Sequence, residues 1–318
     1  MKPKSPTLQK LKIEFLEYLE VEKNRSKLTL RNYDLYLRRF VEYAGSRSVF
    51  SPAQINLDLV RNFRLQLNRL TDSHGRFLKI QTQTYHIIAL RSFLKYLTRR
   101  DIKTLSPEKL ELPKTPSRQV TFLDSDDLQK LFQATRQEKN FLRRLRDRAI
   151  FELLFSTGLR VAEATNLKRS QISLKKDEFS VRGKGDKIRI VFLSENAKSA
   201  LKQYLEKRSD NSPALFIKHL ETNKTIDSEL EGKSLSSRSL QRLIKKYSFL
   251  AGITHRVTPH TLRHTMATDL LTAGADLRSV QEILGHSSIT TTQIYTHITN
   301  KRLKEIHTKF HGKFRKAD

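Results

Sequence analysis

Four successive segments at the start of the chain carry apolar residues at three- and four-residue intervals, and the pattern then stops at a run of prolines. The segments hold Leu8, Leu11, Phe15 and Leu19; Leu30, Tyr33, Leu37 and Val41; Leu59, Phe63, Leu67 and Leu70; and Ile80, Thr84, Ile87, Arg91, Leu94 and Leu97, the last face interrupted by polar residues. This spacing predicts four amphipathic helices with short connections, packed as a small helical domain. The stretch that ends the pattern, DIKTLSPEKLELPKTPSR, spans residues 101–118 and holds three of the chain's eight prolines. A patternless run of that length is unusual inside a compact core, so it reads as a linker. The expected boundaries are therefore 1–100, 101–118 and 119–318, and 318 residues suffice for two cores.

Charge narrows the partner. The chain has 61 basic and 33 acidic residues, a net charge of +28. That excess is far beyond what solubility requires and points to a polyanion, with nucleic acid ahead of an anionic membrane because the basic residues form no single block. Up to Arg118 there are 24 basic and 11 acidic residues, and after it 37 and 22, so both halves are basic. This distribution suits two lobes that grip one nucleic acid better than an enzyme with a basic tail. The absence of cysteine excludes disulfides, a thiol nucleophile and a thiolate metal site. No apolar run reaches the length of a membrane span and the start has no signal-peptide core, so a cytoplasmic location is expected.

In the second half, LDSDDLQKLF reads as a helix start capped by Ser125, with acidic residues in its first turn. A longer helix from Arg143 to Ser156 stops at TGLR. The pattern then switches to period two, with Phe179 and Val181 before a GKGD turn and Ile188, Ile190 and Phe192 after it, which predicts a hairpin. Ser194 caps the next helix. Residues 209–234 are polar and read as a partly ordered loop, and helix resumes from Leu235 onward.

The candidate chemical residues lie in this half. In TPHTLRHTMATDLL, Thr258 caps and Pro259 starts a helix, which places His260 and Arg263 on one face, able to hold a phosphate and exchange protons with it. His264 reads better as a packed or capping histidine. In STGLRVAEATNL, Arg160 and Glu163 form either a surface ion pair or an arginine braced by a carboxylate for bidentate phosphate recognition. Lys184 stands between two glycines that permit close approach to a ligand, and Lys187 is a second candidate in the same turn. LGHSS ends a helix at Gly285 and presents His286, with Tyr295 nine residues downstream. A phenol with an ordinary pKa near 10 needs positive neighbours or a base to act as a nucleophile. Read alone, Tyr295 is better explained as packing.

Order and context carry more than any one motif. TGLRVAEATNL, GKGDKIRIVFL, HTLRHTMAT and LGHSSITTTQIYTHIT resemble, in sequence order, the signatures of the tyrosine site-specific recombinases of phage-integrase type, most closely their compact Xer-type members. The helical first half looks like the family's core-binding domain, and no arm-binding domain precedes it. The resemblance implies a mainly α fold with a small β-sheet, an α+β catalytic domain behind a four-helix SAM-like domain, and a tail helix at about 301–318. It implies that Arg160 and Arg263 hold the scissile phosphate, that Tyr295 attacks it, and that His260 assists proton removal. Lys184 would protonate the leaving 5′ oxygen, His286 would complete the clamp, and Glu163 would support. Departures from the pattern, at Ala162, Ala164, Val191, Phe192 and Met266, touch no reacting group.

A phosphodiester displacement builds negative charge on nonbridging oxygens, which fixed cations or a metal must stabilise. The resemblance implies two arginines with histidines in that role, with no cofactor, no metal and no ATP, since a tyrosyl ester keeps the bond energy for religation. It implies a double-stranded DNA recombination site as substrate and four protomers on two duplexes, as a homotetramer or a heterotetramer with a sister recombinase. A DNA translocase is among the activators it allows. The tail, with Leu303, Ile306 and Phe310 at helical spacing, would dock on a neighbouring protomer. Chromosome-dimer resolution is the expected task. Mobile-element integration or excision, a type IB topoisomerase and a catalytically silent DNA-binding protein are the competing readings.

Overall fold

The computed structural model describes residues 7–71, 75–113, 121–183, 187–219, 232–285 and Tyr295. The chain divides into two compact units, Met1–Ser117 and Arg118–Asp318.

The first unit is built from α1 (Leu8–Val21), α2 (Lys27–Ser46), α3 (Leu57–Arg69) and α4 (Ile80–Arg99). The side chains of Thr7, Ser26 and Asn56 accept from backbone N–H groups of the first turns of α1, α2 and α3, satisfying donors that a helix start leaves unpaired. Leu8, Leu11, Phe15 and Leu19 are all buried, as their spacing predicts. In α2 the fully buried face is Leu37, Phe40, Tyr43 and Ala44, and Leu30, Tyr33 and Val41 pack only along its edge. Phe40 therefore does what periodicity assigned to Val41. In α4, Ile80 is exposed and Thr84 is buried, its hydroxyl donating back to the Ile80 carbonyl at 2.9 Å so that no polar group is left unpaired. Within the stretch read as a linker, Leu110 is buried against this core and Ile102 and Leu105 pack on it. A 3-10 turn runs over Pro107–Lys109 just before Leu110.

The second unit contains α5 (Ser125–Ala134), α6 (Phe141–Thr157), α7 (Val161–Asn166), β1 (Glu178–Arg182), β2 (Ile188–Phe192), α8 (Glu195–Glu206), α9 (Ser237–Leu250), α10 (Pro259–Ala273) and α11 (Leu277–Leu284). The α5 cap is Asp124, not Ser125: its carboxylate accepts from Asp127 N–H at 2.8 Å, and Ser125 is the first helical residue. Ser194 caps α8 as expected. α6 is buried nearly all round and carries Ile150, Phe151, Leu153 and Leu154 into the main core, where Leu201, Tyr204, Ile244, Tyr247 and Leu262 meet it. Part of the region read as a loop is held firmly. Leu215, Phe216 and Ile217 are buried, and carbonyls of the stretch accept from Arg146 (Ile217, 3.0 Å) and Arg208 (Ala214, 3.0 Å).

β1 and β2 pair antiparallel, with Phe179 opposite Val191 and Val181 opposite Arg189. The inward face of β2 is therefore Arg189 and Val191. Ile188, Ile190 and Phe192, the apolar positions whose alternation predicts the strand, are all at least half exposed. Alternation fixed the two faces but not which one turned inward, because the inner position is taken by a charged side chain with a buried partner.

Among the described residues, no helix is long and apolar enough to cross a membrane, and no group of three or more acidic, histidine or cysteine side chains could hold a metal.

Asp147, 2% exposed, accepts from Arg146 at 2.8 Å and from the Tyr247 hydroxyl at 2.8 Å. Removing one member of a buried pair strands the others without compensation. Asp147→Ala is expected to destabilise the protein by about 3–5 kcal/mol in urea unfolding, with Asp147→Asn losing less because it keeps an acceptor.

Candidate functional site

α6 ends at Gly158, left-handed at φ 58°, and the chain turns at once so that Arg160 becomes the N-cap of α7. Glu163, three residues on, accepts from Arg160 N–H at 2.8 Å and from Arg160 Nη1 at 2.9 Å. The carboxylate holds the arginine at two points, and the Glu163 side chain is only 8% exposed, so the pair does not lie on the open surface. A second guanidinium shares the carboxylate. Arg189 on β2 donates from Nη1 and Nη2 to the two oxygens of Glu163, at 3.0 and 2.7 Å. Burial by itself would push Glu163 up, but the bonds from Arg189 and from Arg160 hold it down at about 2.

Arg263 lies on α10, whose start is a reciprocal cap between Thr258 and Thr261 with Pro259 at the first helical position. It is 4% exposed. Its Nη1 donates to the carbonyl of Gly158 and its Nη2 to the carbonyl of Leu284, the C-terminal ends of α6 and α11, where helix dipoles favour a cation. Burial, with the charges of Arg160 and Arg189 beside it, lowers its pKa to about 9, so it stays charged at neutral pH. His260 is exposed one turn earlier, so the pair straddles the edge of the buried face instead of sharing it.

α11 ends at Gly285, left-handed at φ 61°, whose carbonyl accepts from Arg160 Nη2 at 3.2 Å. A Cβ here would come within 2.7 Å of Arg189 Cδ, so the turn needs glycine for space as well as for backbone conformation. Tyr295 is 1% exposed, packed with Met266, Ala267, Leu271, Val280 and Leu284. Its hydroxyl is hydrogen-bonded to His264 Nδ1, with the rings 5.7 Å apart. Burial pushes the phenol up to about 12, against the opposing pull of Arg263.

The structure thus brings Arg160, Glu163, Arg263 and the Gly285 turn together and sets Tyr295 within electrostatic reach of Arg263. Lys184, His286 and the tail at 301–318 lie outside the described residues. One residue of this neighbourhood was missed from sequence, and another does more than its reading gave it. Arg189 was passed over as a strand position, although a lone arginine alternating with apolar residues was its signal. His264 was read as packed or capping, and it is half-buried but also holds the tyrosine hydroxyl.

A helical unit of this make-up, followed by an α+β unit in which braced arginines stand near a tyrosine, defines a DNA strand-transferring recombinase of the tyrosine class. Residues 121–302 match the phage integrase family and residues 13–101 match the phage integrase N-terminal SAM-like domain, and the chain belongs to this family. It is 36% identical over 306 residues to the tyrosine recombinase XerC of Pelobacter propionicus, covering 95% of each chain. It is 35% identical to XerD of Listeria innocua (94% of this chain, 97% of that one) and 36% identical to XerA of Pyrococcus furiosus (92% and 91%). Among solved structures it resembles the XerH site-specific recombinase bound to palindromic difH substrate in a post-cleavage complex, with a TM-score of 0.67 and 26% identity over 90% of this chain and 81% of that one.

Because the Glu163 pKa falls from 4.5 to about 2 on folding, its contribution is fully present above pH 4.5 and is lost as the pH falls towards 2. Glu163→Gln is expected to cost on the order of 2–3 kcal/mol at pH 7. Urea unfolding at a series of pH values should show that gap narrowing below pH 4.5.

Proposed function

We propose that this chain is a site-specific DNA recombinase that cuts and rejoins strands through a 3′-phosphotyrosyl intermediate. The observation that carries this reading is the placement of Arg263: a buried, charged guanidinium anchored on two helix ends, beside a braced Arg160 and within the field of Tyr295. Guanidinium stays charged and forks onto phosphate oxygens, so two of them fixed in advance can bind a scissile phosphodiester and the charge that builds on it.

In this reading the Tyr295 oxygen forms a bond to phosphorus as the bond to the 5′ oxygen breaks. His260 helps remove the phenolic proton, Lys184 protonates the departing 5′ oxygen, and His286 joins the two arginines on the nonbridging oxygens. Glu163 supports Arg160. Attack of a 5′ hydroxyl from another strand reverses the chemistry and restores the tyrosine.

The phenol as placed is buried, so it must be uncovered before it can meet DNA, and the same burial raises its pKa to about 12. Activity therefore depends on a rearrangement that brings Tyr295 from His264 to the phosphate. An assembly of four protomers on two duplexes, in the cytoplasm, with the 301–318 tail docked on a neighbour, supplies a cause for that rearrangement. The similarity to XerC, XerD and XerA supports an Xer-type role in resolving chromosome dimers.

Incubation with nicked suicide DNA carrying the target site should trap a covalent adduct with the wild type and none with Tyr295→Phe. An adduct on the variant would overturn the assignment. Truncation after Asn300 is expected to reduce strand exchange on paired sites at least about tenfold while leaving binding to a single site in place. Unchanged exchange would remove the tail from the mechanism.

A further inference from the structure

Glu163 is one carboxylate between two guanidiniums, and the division between them is unequal. Arg189 gives both Nη atoms to it, whereas Arg160 gives one side-chain nitrogen and its backbone N–H. The second terminal nitrogen of Arg160 is turned to the Gly285 carbonyl. The Arg189 side chain is 10% exposed and is held from two sides where a Cβ would not fit: one built on Gly183 would lie 2.9 Å from Arg189 Nη1, and one on Gly285 would lie 2.7 Å from Arg189 Cδ. The absence of a side chain at Gly183 leaves room for this ion pair.

We propose that Arg189 is a positioning residue for strand cleavage: by pairing with both oxygens of Glu163 it limits that carboxylate to a single side-chain bond with Arg160 and offsets its charge, so that the positive charge of Arg160 is kept for the scissile phosphate. Resting on the phosphate clamp proposed above, this adds a residue that acts on it through Glu163. Charge supplies the reason. With Glu163 ionised, Arg160, Arg189 and Arg263 leave the cluster with two net positive charges, which face a transition state more negative than the bound phosphodiester. Without Arg189 the same carboxylate offsets Arg160 alone, and one net charge remains.

A role confined to tethering the hairpin makes a different prediction, and a double-mutant cycle separates the two. Single-turnover cleavage of nicked suicide DNA is measured for the wild type, Arg189→Met, Glu163→Gln and the double variant, with DNA affinity and thermal unfolding recorded for each. Arg189→Met is expected to slow cleavage about 30-fold, and the double variant to return within about fivefold of wild type because the net charge is restored. Arg189→Lys, which keeps the charge, should lose no more than about fivefold. A double variant as slow as Arg189→Met, or slower, overturns the proposal. If Arg189→Met does not fold, Arg189→Gln with and without Glu163→Gln carries the same comparison. Arg160→Met distinguishes failure at a deeper level: unchanged cleavage there removes the clamp itself, whatever Arg189 does.

Discussion

The carboxylate of Glu163 ties two separate pieces of the second unit together directly. It caps the backbone of Arg160 at the start of α7, pairs with that residue's guanidinium, and receives Arg189 from β2. Through Arg189 and Arg160 the α11 turn at Gly285 is drawn into the same cluster. These elements are far apart in sequence and come together over one small anion. An ion pair this enclosed contributes little net stability compared with apolar packing, since both partners lose hydration. What it provides is geometry: planar donors on a fixed acceptor define orientation in a way that packed methyl groups cannot.

Arg263 is fixed by other means. Among the described residues it is paired with no acid; two carbonyls at helix ends neutralise part of its charge and set its plane. The two arginines proposed to share a phosphate are thus held by independent devices, one ionic and one dipolar. Acid that protonates Glu163 loosens the first and leaves the second intact.

Much of this was legible in the residues. Caps at Ser194 and Thr258, the helix stop at Gly158 and the hairpin at 178–192 are local features whose chemistry is written in adjacent positions. The arginine, histidine and tyrosine motifs were legible through their order. What could not be read depended on long-range partners. Arg189 means nothing until Glu163 is known to lie opposite, and that pairing takes the inner face of β2, leaving Ile188, Ile190 and Phe192 outward. Asp124 and Ser125 are both good caps, and neighbouring residues do not choose between them. Leu110 looked like part of a spacer because a single apolar anchor has no period.

Tyr295 lies in a shell of Met266, Ala267, Leu271, Val280 and Leu284 with its oxygen on an imidazole. A phenol so enclosed is also shielded from every reagent that attacks tyrosine rings or oxygens from water, whether nitrating, iodinating or acylating. Chemical silence at Tyr295 therefore marks the arrangement described, and its appearance among the modified tyrosines would time the uncovering proposed above independently of any cut in DNA.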